Sequence, residues 1–327
     1  MDPVLVEATR GAHVESRHNG AAIVLDADGG AVFSVGDVDR PVYPRSAVKA
    51  LLALPLVESG AADRLRLTDA EIALACASHA GEPVHVEAAA SMLHKAGRDL
   101  RTLECGIHWP RDRAARALAA TGQEPTALHN NCSGKHSGFI CLACDRRDDP
   151  SGYVSPDHPT MRAVTQAMAE MTGATLDEGN RAVDGCSIPT FAIPLRALAL
   201  AFARFASGRG MAPDRAAAAR RIRSAVAANP MMVGGTDSFD THLMAAMGDR
   251  VFSKGGAEGV HCLAIPELGL GVALKCDDGA GRAAEIAASA LLHRLLGGDV
   301  LAGFAWRTLT NWNGIAVGAL RPAQALA

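Results

Sequence analysis

Aromatic side chains are scarce in this chain: eight Phe, three Trp and two Tyr among 327 residues. No basic run is present, and 32 Lys and Arg against 35 Asp and Glu leave a formal net charge of −3. Lacking both a cationic footprint and stacking rings, the protein is not expected to bind nucleic acid. No uncharged apolar stretch approaches the ~20 residues that span a bilayer, and Met1-Asp2-Pro3 places an acid where an export signal carries basic residues. The expectation is a cytoplasmic protein with no membrane partner. Ser/Gly-rich linkers, internal repeats and low-complexity tracts are missing too. Charged residues make up only 20% against 49% hydrophobic, a balance that excludes a disordered chain.

Eight cysteines, at positions 76, 105, 132, 141, 144, 186, 262 and 276, are thinly spread. Without an export signal they read as free thiols, some available to a metal, rather than as a disulfide framework. Strand patterns occupy residues 3–8 and 21–35, the latter folded at Asp28-Gly29-Gly30 as a hairpin. From about 46 to 247 the pattern turns helical, with a capping box at Thr68-x-x-Glu71 and amphipathic stretches near 84–96, 111–121, 160–172 and 212–228. Strands return at 251–254, 260–265 and 270–276, before a last helix at about 281–296. The arrangement predicts an α+β fold in which N- and C-terminal strands pair into one antiparallel sheet around a large helical insertion. One two-lobed domain is expected, with a sheet lobe of about 1–45 and 248–327 and a helical lobe of about 46–247.

Three groups of residues carry the chemistry. Ser46-Ala47-Val48-Lys49 sits where strands give way to helix, and i, i+3 spacing lets a lysine amine of lowered pKa take a serine proton. Ser78-His79-Ala80-Gly81-Glu82 offers a second hydroxyl at a helix end, and Ser253-Lys254-Gly255-Gly256 a second amine at a strand end. The layout parallels the S-x-x-K, S-D-N and K-T-G order of penicillin-recognising enzymes. Third, residues 129–138 and Asp184-Gly185-Cys186 bring two cysteines near nitrogen donors, and two thiolates, a nitrogen and an open position would suit Zn²⁺. No paired Cys-x-x-Cys supports a zinc ribbon, and Cys141-Leu142-Ala143-Cys144 reads as core packing.

Taken together, Tyr43-Pro44-Arg45-Ser46-x-x-Lys49, Ser78-His79-Ala80-Gly81, Asn131-Cys132-Ser133-Gly134-Lys135-His136, Asp184-Gly185-Cys186 and Lys254-Gly255-Gly256 resemble the rhizobial-type L-asparaginases, the class 3 or asparaginase II family. The resemblance implies hydrolysis of L-asparagine to L-aspartate and ammonia, a fold like serine β-lactamases and glutaminases, and a homodimer. It further implies catalytic tandems of Ser46 with Lys49 and Ser78 with Lys254, and a zinc site of Cys132, Lys135 and Cys186. Arg45, His136 and Asp184 are the expected substrate-binding residues. On this view Lys49 takes the proton of Ser46, an acyl-enzyme forms and water resolves it, while which serine attacks is left open. The competing expectations are a glutaminase or β-lactam hydrolase on the same layout, and a non-catalytic zinc- or amino-acid-binding protein.

Overall fold

Aliphatic and β-branched side chains build an eight-stranded sheet in the computed structural model, which describes residues 1–326. Its strands are β1 (Val4–Arg10), β2 (His13–Asp26), β3 (Ala31–Val35), β4 (Phe252–Gly255), β5 (Val260–Ile265), β6 (Leu270–Cys276), β7 (Arg307–Thr310) and β8 (Ala316–Pro322). The order is β7-β8-β1-β2-β6-β5-β4, with β3 on β2. Antiparallel pairing of β1 with β8 and of β2 with β6 joins the two ends of the chain, as expected. Strand β2 does two jobs. Its polar half, through Asn19, pairs with β1, and its apolar half, from Gly20, pairs with β6. Gly20 marks the changeover, since a Cβ there would lie 2.1 Å from the Lys275 carbonyl oxygen.

The chain divides into two units. The sheet unit comprises Met1–Ala47, Ile193–Ser207 and the stretch from Ser253 onward. Both β5 and β6 are buried along almost their whole length, so both faces need cover. Helices Leu195–Ser207 and Gly281–Leu296 both pack on these strands. Close approach of the former depends on Gly271, where a Cβ would lie 2.1 Å from Ala203 N. Leu195–Ser207 lies within the span read from sequence as helical lobe, yet it groups with the sheet because its Leu198, Phe202 and Phe205 are buried there.

The helical unit comprises Val48–Ala192 and Gly208–Phe252. Its helices Pro83–Lys95, Asp112–Ala120, Pro159–Thr172 and Pro213–Ala228 match the predicted stretches within about two residues. Thr68 Oγ1 accepts from Glu71 N at 3.3 Å and Glu71 Oε2 from Thr68 N at 2.7 Å, closing the expected capping box of helix Asp69–Ala75. A short ribbon, Arg181–Val183 against Pro189–Phe191, carries Asp184 and Cys186 in its turn. All eight cysteines are free thiols, and every one but Cys144 is buried. No helix among the described residues is long and apolar enough to cross a membrane.

Candidate active site

In the sheet unit, Ser46 lies on a 3-10 turn, Arg45–Val48, directly after Pro44. Arg45 enters that turn at φ +50°, a left-handed conformation rare for a residue with a Cβ. The end of β4 packs against the same turn: a Cβ on Gly256 would stand 2.5 Å from the Pro44 carbonyl oxygen and 3.2 Å from Ala47 N. Segments 44–47 and 254–256 are therefore neighbours. Ser46 is half-buried, whereas Lys254 is buried and donates through Nζ to the Gly255 carbonyl at 2.8 Å.

In the helical unit, Lys49 opens the helix Lys49–Leu52 and is only 1% exposed. Its Nζ donates to Ala77 O at 2.5 Å, lies 2.9 Å from Ser78 Oγ and reaches Asn131 O at 3.5 Å. Burial pulls the Lys49 pKa down and the Lys135 charge adds to that, although the thiols of Cys132 and Cys186 act the other way. Ser78 is not at a helix end: helix Asp69–Ala75 stops earlier, and a loop tied by Ser78 N to Val233 O (2.9 Å) carries the hydroxyl to the amine. Ser78 with Lys49 is thus a hydrogen-bonded hydroxyl–amine pair.

Cys132 caps helix Ser133–Asp145 and its N–H donates to Asn130 Oδ1 at 2.8 Å. Gly134 lets this helix start against Leu74, whose carbonyl oxygen would be 2.4 Å from a Cβ. Lys135 Nζ donates to Cys186 Sγ at 2.9 Å, and Cys186 sits in a turn closed by Ser187 at φ +76°. Asp184 Oδ1 accepts from Gly185 N at 2.8 Å, and the Cys186 thiol is 3.8 Å from its other oxygen. A hydrogen bond from Cys186 holds the Cys132 thiol well below its ordinary pKa, helped by the charges of Lys135 and Lys49. The same bond, with burial, pushes Cys186 up. Burial disfavours the Lys135 charge, but both sulfurs outweigh it and raise its pKa.

Among the described residues no cluster of three or more His, Cys, Asp and Glu side chains forms a metal site. The set here is instead two sulfurs and an amine, and once deprotonated it suits a borderline-soft divalent cation such as Zn²⁺.

Sequence reasoning missed several partners. His79 Nε2 lies 2.9 Å from Ser133 Oγ, its Nδ1 accepts from Gly81 N at 3.1 Å, and its ring stacks on His85 with centroids 4.9 Å apart. His79 thereby ties the Ser78 loop to the helix that Cys132 caps. Tyr153, one of two tyrosines, places its hydroxyl 2.6 Å from His136 Nδ1. A long turn before Pro159–Thr172 brings it there, and no spacing rule announces such a contact.

The profile of the family L-asparaginase II matches residues 6–322. No curated protein matches the chain. Among solved structures it is similar to a β-lactamase from Mycobacterium bovis at 14% identity and a TM-score of 0.41, covering 88% of this chain and 95% of that one. Mglu, in its tris and glutamate form, shares 17% identity at a TM-score of 0.39 over 91% of this chain and 65% of its own. A mutant simvastatin synthase from Aspergillus terreus shares 14% identity at a TM-score of 0.37 over 87% and 90%.

Proposed function

The chain belongs to the L-asparaginase II family, and from that membership we propose that it hydrolyses L-asparagine to L-aspartate and ammonia through a serine acyl-enzyme. The observation that carries the reading is Lys49: a buried amine of lowered pKa, 2.9 Å from the hydroxyl of Ser78 and three positions along the chain from Ser46. A neutral amine can take a hydroxyl proton, whereas an ammonium cannot. In this mechanism Lys49 accepts the Ser46 proton, the alkoxide attacks the side-chain amide carbon, and Ser78 passes a proton from Lys49 to the departing nitrogen. Lys254 is, in this reading, the second amine of the two serine–lysine tandems that the family resemblance implies. Water then cleaves the ester and Ser46 is regenerated.

Cys132, Lys135 and Cys186 would hold Zn²⁺, which supplies a fixed positive charge for orienting the amino-acid end of the substrate. Arg45 binds the α-carboxylate, and Asp184 and His136 complete the recognition of the backbone groups. A homodimer in the cytoplasm is part of the same reading; soluble-fraction recovery checks the second element.

A panel of L-asparagine, L-glutamine and a chromogenic lactam tests it. Ammonia should come from asparagine first, and preference for either other substrate overturns the assignment. Ser46→Ala should abolish turnover with little change in thermal midpoint, whereas activity within about tenfold of wild type removes Ser46 as nucleophile. If Ser78→Ala instead is the inactive variant that fails to form an acyl-enzyme, the two serines exchange roles.

A further inference from the structure

Tyr153 is fully buried, and its hydroxyl meets two groups. The Glu104 backbone N–H donates to it at 2.9 Å, and His136 Nδ1 lies 2.6 Å away. An N–H can only donate, so the hydroxyl oxygen accepts from Glu104; were its second lone pair to accept from Nδ1–H as well, the buried hydroxyl proton would be left with no acceptor among the described residues, so that proton goes to Nδ1. The ring proton of neutral His136 then belongs on Nε2. That nitrogen is buried and has no hydrogen-bond partner among the described residues. Buried donors left unpaired are rare in folded proteins, and one at a reactive cluster calls for a ligand.

The position fits. His136 follows Cys132 by four residues, so it falls on the same stripe of helix Ser133–Asp145, and helical Cα–Cβ bonds tilt toward the N-terminus. The partner at Nδ1 also sets the sense of the hydrogen bond. A carboxylate there would draw the proton to Nδ1 and leave Nε2 as a base, as in hydrolytic triads. A tyrosine hydroxyl that already accepts from the Glu104 N–H, and whose proton has only Nδ1 to bond, does the reverse and leaves Nε2 as the donor.

We propose that Tyr153 is a positioning residue that fixes His136 as the Nε2–H tautomer, reserving one buried N–H for an oxygen atom of a bound amino-acid substrate. The ligand's identity rests on the asparaginase reading; the tautomer does not. Its acceptor is a carboxylate or side-chain carbonyl oxygen, because an N–H cannot pair with the substrate ammonium.

Long-range ¹H–¹⁵N spectra of histidine-labelled protein test both halves, with His136 assigned by its absence in His136→Gln. Wild type should show a neutral Nε2–H ring, and L-aspartate should shift that proton resonance. Tyr153→Phe should lose the single tautomer and raise KM for asparagine about tenfold with kcat within about threefold, the signature of one lost binding hydrogen bond. His136→Gln, which keeps an N–H donor, should retain a lower KM than His136→Leu. An Nδ1–H or doubly protonated ring in wild type overturns the proposal. So does an unmoved Nε2–H resonance under saturating aspartate in a protein that still hydrolyses asparagine. A wild type that neither releases ammonia nor binds aspartate overturns the asparaginase reading and the ligand with it, while the spectrum decides the tautomer alone. These wild-type results stand even if Tyr153→Phe fails to fold.

Discussion

Lys49 illustrates how a single side chain sets both chemistry and cost. Its pKa is lowered first by burial, so the folded chain binds fewer protons there than the unfolded chain. Stability therefore rises with pH until the ordinary lysine value of 10.5 is reached. Lys49→Met removes this slope. Relative to wild type the variant should gain stability as pH falls below 10.5, while losing turnover entirely. Urea titrations at neutral and alkaline pH read the difference; a pH-independent gap would mean that Lys49 keeps its charge. The thiol cluster makes a second prediction. Lys135 and Cys186 both have raised pKa values and hold their protons at neutral pH, yet both must lose them to ligate a metal. Zinc binding should release protons and weaken as pH falls, which calorimetry in buffers of different ionisation enthalpy measures. Cys132→Ala and Cys186→Ala should both lose zinc, and full occupancy in both would end that assignment.

Elements differ in how plainly residues announce them. Continuous apolar runs in β5 and β6 and the capping box before helix Asp69–Ala75 follow directly from local chemistry, and the structure places them where expected. The polar half of β2 did not read as strand because His13, Glu15 and Arg17 face solvent and carry no alternation of apolar groups. The hairpin of β7 and β8 escaped for a similar reason: β7 alternates only between half-buried and exposed residues, and β8 buries just the adjacent pair Ala319 and Leu320, so neither strand carries an apolar–polar alternation. In the candidate site the reactive residue types were legible from their motifs. The pairing of Ser78 with Lys49 was not, because it depends on the path of a loop beyond Ala75. Gly134 gives a test at this scale. In an exposed helix Gly→Ala stabilises by about 1 kcal/mol, but here the new Cβ meets Leu74 backbone at 2.4 Å. Gly134→Ala should instead destabilise by about 1–3 kcal/mol, read as a lower urea midpoint. A neutral or raised midpoint would show that the helix start has room to move.

Across the whole molecule, strands from the two ends of the chain close one sheet, so neither terminus can be trimmed into β1 or β8 without opening it. At 193–207 a helix in the middle of the chain packs on β6 and groups with the strands of the sheet unit. Local pattern marks a helix but not the layer it joins, which is why that segment was assigned by position in the chain. Sedimentation should find a dimer, as membership of the asparaginase II resemblance implies, and a monomer at micromolar concentration would remove that element of the reading.

Seven thiols lie out of reach of solvent and Cys144 alone is partly open. A bulky maleimide dye added to the native enzyme should consequently mark one address, giving a fluorescent reporter without first engineering the other sulfurs away. Labelling that spreads beyond Cys144 would itself report breathing of the interior, and its rate would time that breathing.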